Sequence, residues 1–167
     1  MIFFTATIYE WYNVLETNEC KDIIVNSLKF LVNEKRVSVY GFVIMPNHIH
    51  LIWKVSMNHK RSDVQRDFLK FTGQQIKFQL QKDNPELLQK LKVDLKDREY
   101  QIWQRNPLSI ELYTNFITEK KLNYIHNNPC AGKWNLSSTP EGYFYSSSRF
   151  YLENDLDFSF IRNYMDE

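Results

Sequence analysis

The stretch Val37–Val55, VSVYGFVIMPNHIHLIWKV, decides how the rest of the chain is read. It holds two apolar runs joined by Met45-Pro46-Asn47, and two of the chain's four histidines, His48 and His50, open the second run. β-Branched and aromatic residues suit a pleated surface, so the composition predicts two paired strands. Side chains alternate along a strand, which puts His48 and His50 on one face and Ile49, Leu51 and Trp53 on the other. The apolar face is expected to pack on helices. On the first face, two imidazoles bring ring nitrogens that need partners. One histidine at a strand end is satisfied by water or a carbonyl, whereas a pair also fits the start of a metal site. The pattern leaves both readings open, and two ligands do not complete a site.

Upstream, Phe3–Tyr9 (FFTATIY) alternates and reads as a first strand. From Glu19 to Glu34, Cys20, Ile23, Ile24, Leu28, Leu31 and Val32 recur at helical spacing, with Asn18 or Thr17 as N-cap. Downstream, residues 61–82 read as a second helix with Val64, Phe68, Phe71, Gln75 and Phe78 on its inner face, widened by Leu69, Ile76 and Leu80. The charged segment 83–99 reads as a short helix plus surface loop. Tyr100–Trp103 (YQIW) reads as a fourth strand ended by Asn106-Pro107. Ile110–Asn128 follows as a third helix, stopped by Pro129 and followed by Gly132. The order β-α-β-β-α-β-α predicts an α+β domain: a ferredoxin-like antiparallel sheet with helices packed on one face. One domain is expected over 1–167, with a core to about residue 132 and an aromatic extension over 133–167 whose pattern discloses no purpose.

Composition narrows the function classes. With 167 residues the chain can bury a proper core, and 16% aromatic residues supply rings for core and binding surface. Only 4 glycines are present and none forms a phosphate loop, so no nucleotide-triphosphate site is expected. The net charge of +1 means that any nucleic-acid contact must come from local patches. Cys20 and Cys130 have no metal-type spacing and are expected to be free thiols. The amino-terminal run lacks a basic leader, and no apolar run reaches membrane length. A cytoplasmic protein with no membrane partner is the expectation.

A third ligand and a nucleophile have to come from elsewhere. Residues 122–129, LNYIHNNP, end the third predicted helix, where Tyr124 and Asn128 stand four apart on one face and His126 points nearly opposite. Read alone, Tyr124 could be core and Asn127 or Asn128 a helix cap. MPNHIHLIW followed by YIHNNP, however, resembles the REP-associated tyrosine transposases, a branch of the single-tyrosine HUH nucleases. The likeness runs from FFTATIY to about Gly132, with a weaker echo in the later Tyr-x-Tyr-Ser-Ser. It implies the same ferredoxin-like fold, a divalent metal (Mg²⁺ or Mn²⁺) held by His48 and His50, and Tyr124 as nucleophile. It also implies a third ligand one turn after the tyrosine, at Asn128, with Asn127 as fallback. The implied activity is cleavage and rejoining of single-stranded hairpin or inverted-repeat DNA through a 5′-phosphotyrosine, in a DNA-recombining transposase that is a monomer or homodimer at the bacterial nucleoid.

The chemistry is coherent without the family. A phenol titrates near pH 10 and is a weak nucleophile at neutral pH. A cation on a non-bridging phosphate oxygen neutralises charge and sets up in-line attack. A neutral Asn ligand predicts modest Mg²⁺ affinity, and imidazoles favour Mn²⁺. For DNA, Arg66, Lys70, Gln74 and Lys77 form a polar stripe on the second helix, with Lys60 and Arg61 just before it. Asp63 and Asp67 nearby allow an ordinary solvated face instead. Lys120 and Lys121 lie closest to Tyr124, and Trp103, Tyr143 and Tyr145 could stack on unpaired bases. Two other functions stay in view: a histidine-based phosphodiesterase, and a domesticated hairpin-binding protein that never cuts.

Overall fold

The computed structural model describes residues 1–155 and 157–167. In chain order it contains β1 (Ile2–Thr7), α1 (Asn18–Asn33), β2 (Val37–Met45), β3 (His48–Val55), α2 (Arg61–Asp83) and α3 (Pro85–Lys90). Then come β4 (Lys92–Leu95), β5 (Arg98–Tyr100), β6 (Leu108–Glu111), α4 (Asn115–Asn127) and α5 (Ser148–Glu153). The main sheet has the order β2-β3-β1-β6, and every neighbouring pair is antiparallel. The crossovers β1-α1-β2 and β3-α2-β6 insert each strand between or beside earlier ones, which is the ferredoxin-like α+β arrangement.

The central hairpin forms as its sequence predicts. Met45 pairs with His48, so only Pro46 and Asn47 make the turn. α1 begins where Thr17 Oγ1 accepts from the Cys20 N–H at 3.4 Å. One sheet face, carrying Phe4, Ile44, Ile49, Leu51 and Trp53, is covered by α1 and α2. The opposite face, carrying Phe3, Val43, Met45 and Ile52, receives Leu122 and Ile125 of α4. The crossover helices therefore share one face, as expected, and α4 covers the face that bears the histidines. Gly41 makes that approach possible: a Cβ there would lie 2.6 Å from Leu122 Cδ1 and 3.3 Å from Ile125 Cδ1.

Several expected boundaries move. β1 ends at Thr7, and Tyr9–Trp11 form a 3₁₀ turn in which Glu10 and Trp11 have φ of 53° and 58°. The fourth strand of the sheet is Leu108–Glu111, paired with β1, whereas Trp103 makes a single bridge to Ile8. β6 is an edge strand with every residue exposed, so it has no apolar run to reveal it. α4 accordingly starts later than Ile110, at Asn115, where Thr114 Oγ1 accepts from the Ile117 N–H at 3.2 Å. In the polar segment 83–99 the expected short helix is α3, and the β4–β5 hairpin stands where a surface loop was expected.

The buried row of α2 also differs, running Val64, Phe68, Thr72, Ile76, Leu80, while Phe71 and Phe78 are 51% and 47% exposed. A threonine disguises this row. Thr72 is fully buried because its hydroxyl donates to the Phe68 carbonyl at 2.7 Å and accepts from Trp103 Nε1 at 3.0 Å.

The aromatic extension has a structural use. Val43 bridges Ser146, the Ile44 N–H donates to the Tyr145 carbonyl at 2.9 Å, and Ile161 runs beside Val39. The extension thus pairs with the outer side of β2 and closes an edge that would otherwise offer free backbone groups.

Candidate active site

His48 and His50 lie on the α4 side of the sheet, 7% and 5% exposed, with ring centroids 4.8 Å apart. The strand period places them side by side, and the neighbouring strand and turn orient them. Asn47 Nδ2 donates to the Trp11 carbonyl at 3.0 Å, which turns its Oδ1 toward His48 Nδ1 at 2.8 Å. A carbonyl oxygen only accepts, so His48 Nδ1 carries the proton and Nε2 keeps its lone pair. His50 stands opposite Thr5 in the β1–β3 register, and its Nδ1 pairs with Thr5 Oγ1 at 2.7 Å. His50 Nε2 is buried and has no hydrogen-bond partner among the described residues. Buried polar atoms are rarely left so, and this one has a ligand's chemistry.

Both rings are neutral near pH 7. Burial holds His48 down at about 4, assisted by Lys133. Burial holds His50 at about 3, assisted by His48 and Lys121. Neutral imidazoles, each fixed through Nδ1, are the form that binds a transition-type cation through Nε2. The donor set fits a divalent metal on that ground. Among the described residues, no His, Cys, Asp or Glu completes a group of three, so a third protein donor would be neutral. Asn128 caps α4 and is half-buried, whereas Asn127 is exposed and donates its Nδ2 to the Asn123 carbonyl at 2.8 Å.

Tyr124 is brought to the histidines. Its ring lies 5.4 Å from that of His50 and 6.2 Å from Phe3, while 52% of the residue stays exposed. Leu122 and Ile125 bury the opposite side of α4, so the helix presents Tyr124 outward at the rim of the pair. Lys121 reaches back over the Phe3 ring at 4.6 Å and the Tyr124 ring at 5.6 Å. Lys120 turns away, over Phe116 at 4.3 Å. His126, as its spacing implies, points inward: it is buried and its Nε2 pairs with Ser147 Oγ at 2.8 Å.

Other expected contacts do not converge here. Lys60 and Arg61 start α2 near the Ile2 end of β1, far from Thr7, which pairs with His48, and Arg61 is held by Glu111 at 3.0 Å. Arg66 is paired with Asp63 and Asp67, both at 2.9 Å. Lys70 and Lys77 are on α2, across the sheet from the histidines.

Of the rings expected to stack on bases, Trp103 and Tyr145 are each 7% exposed, and Tyr143 is half-buried and donates its hydroxyl to the Ile44 carbonyl at 2.7 Å. The rings that do flank the histidines are Trp11 and Trp134, with centroids 6.3 and 5.8 Å from His48. Trp11 is 61% exposed. Sequence reasoning passed over these two, and over Asn47, Thr5 and Lys133. Only Thr5 had a signal, since pairing β1 with β3 in register sets it against His50.

No protein-family profile matches the chain, and no curated protein matches it by sequence. Solved structures do. A REP-associated tyrosine transposase bound to a REP hairpin superposes with a TM-score of 0.63 at 16% identity, covering 96% of this chain and 81% of that one. A candidate transposase of Deinococcus radiodurans R1 gives a TM-score of 0.45 at 15% identity, over 75% of this chain and 88% of that one. The likeness first read from MPNHIHLIW and YIHNNP thus extends to the architecture: this chain has the fold of a REP-associated tyrosine transposase.

Proposed function

We propose that the chain is a metal-dependent single-stranded DNA endonuclease and strand transferase, a transposase-type enzyme of the HUH kind, with Tyr124 as nucleophile. One observation carries the reading: a bare, buried His50 Nε2 lies beside an exposed tyrosine on the same sheet face. A divalent cation (Mn²⁺ or Mg²⁺) held by His48 and His50, with Asn128 as third donor, would supply charge neutralisation on the scissile phosphate. The protein groups do the rest. α4 holds the Tyr124 hydroxyl at the rim, and the Lys121 ammonium adds positive charge beside the ring. Tyr124 Oη bonds to phosphorus as the bond to the 3′ oxygen breaks, and the phenolic proton ends on the released 3′-hydroxyl. The 5′-phosphotyrosine keeps the bond energy, so a second 3′-hydroxyl can rejoin the strand without ATP.

The substrate proposed is hairpin or inverted-repeat DNA, met at the nucleoid in the cytoplasm. The solved relative in fold was itself bound to a REP hairpin. A histidine phosphodiesterase is less well supported, because rings held near 4 and 3 are poor proton donors at neutral pH. The test is incubation of wild type and Tyr124→Phe with single-stranded repeat DNA from the flanks of its own gene and Mn²⁺. The reading expects cleavage and a denaturation-resistant adduct from wild type only. Cleavage by Tyr124→Phe would move the chemistry to the histidines, and binding without cleavage by wild type would favour a non-catalytic hairpin binder.

A further inference from the structure

A groove of about 630 Å³ runs between α2 and residues 97–107, on the sheet face away from the histidines. Five cationic side chains line it, Arg66, Lys70, Lys77, Arg98 and Arg105, against one carboxylate, Asp97. Asp97 is taken up by Arg98, and Arg66 by Asp63 and Asp67. Among the described residues, Lys70, Lys77 and Arg105 have no such partner, and Lys70 and Arg105 are exposed. Gln74, Gln104 and Asn106 add amide groups along the same walls. The α2 stripe is therefore one side of a built concavity rather than a solvated helix face.

The shape and chemistry select the occupant. Duplex DNA is read by inserting protein elements into its grooves, whereas a concave basic channel tracks the backbone of an unpaired strand. Amides in such a channel can meet exposed base edges. The groove also begins at the right end of the sheet. The Gln104 N–H donates to the Thr7 carbonyl at 2.7 Å, and Thr7 is paired with His48. Gln101, Gln104 and Arg105 also line a second hollow of about 540 Å³ with Tyr9 and Lys92, so the open surface continues around that end. The groove therefore opens at the end of the sheet where β3 begins with His48.

We infer that the groove holds the single-stranded flank of the DNA presented at Tyr124, through phosphate contacts by Lys70, Lys77 and Arg105. The origin of that strand rests on the function proposed above; the binding itself does not, and it is tested without catalysis. The probe is a dT oligonucleotide of about 12 nucleotides, within the span of one single-strand site, bound in chelator at several salt concentrations. The proteins compared are wild type and the triple variant Lys70→Gln, Lys77→Gln, Arg105→Gln. Losing three single-strand phosphate contacts lowers the log–log salt slope by about 2, with a tenfold or greater loss of affinity at low salt.

An unchanged slope and affinity would overturn the inference, as would equal competition by a blunt duplex of the same length. The same oligonucleotide carrying 5-iododeoxyuridine, cross-linked to wild type, should label residues within 97–107; labelling confined elsewhere would also overturn it. If Tyr124 forms no adduct yet dT binding depends on the three cations, the groove stands and the proposed reaction fails.

Discussion

His50 carries the heaviest argument of any single residue. Its Nε2 is a buried polar atom with no partner among the described residues, a condition that costs about 1–3 kcal/mol unless something occupies it. His50→Leu removes the orphan atom and the Thr5 bond together, so the metal-free protein should keep its melting temperature to within a few degrees. Wild type should melt higher when Mn²⁺ is added, since a ligand that binds only the folded state stabilises it by mass action. His50→Leu and His48→Ala should lose that increment. An equal Mn²⁺ shift in all three proteins would place the metal elsewhere. The period of a strand made the histidine pair legible, whereas Tyr124 was singled out by the resemblance that YIHNNP carries, since helix spacing alone left it readable as core. What fixes the tautomer of His48 was not legible, because Asn47 acts only through its bond to Trp11, 36 residues away in the chain.

Among the elements, α4 matters most, because it carries Tyr124 and is held from two sides. β2 meets it through Gly41, where any side chain presses on Leu122 and Ile125. Gly41→Ala should cost about 1–3 kcal/mol by overpacking and should depress cleavage further than binding, because the Leu122 and Ile125 side chains that seat α4 must give way. A variant with wild-type turnover would show that the close approach does not set the position of Tyr124. The extension holds the other side. Ser147 Oγ accepts from the Phe42 N–H at 2.9 Å and meets His126 Nε2, so Ser147→Ala strands two buried polar groups. A loss of about 1–3 kcal/mol is expected in denaturant titration, and a loss below about 0.5 would mean that water replaces the hydroxyl. Helices and core strands were readable because their apolar periods are strong. β6 was not, since an exposed edge strand has no inward-facing run, and the extension was not, since its purpose is to pair with an edge that sequence alone does not reveal.

For the whole molecule, three buried histidines make stability depend on pH. His48, His50 and His126 are held at about 4, 3 and 4, against an ordinary value near 6.5, with burial the leading cause in each. Between these values the unfolded chain binds protons that the folded chain does not, so stability rises with pH there. The metal-free protein should be fully stable above about pH 6.5 and should lose melting temperature steadily as pH falls toward 4. His126→Asn should flatten that slope, and a flat profile for wild type would contradict the burial of these rings. The two faces of the sheet divide the labour: one packs α1 and α2 and carries the basic groove outside them, and the other sets Tyr124 over the histidines. That division has one most direct test. The protein is incubated with single-stranded repeat DNA and Mn²⁺, digested with protease, and its peptides are weighed by mass spectrometry. The account predicts a nucleotide joined through a 5′-phosphate to the peptide that contains Tyr124; a nucleotide on a histidine, or on any other tyrosine, would contradict it.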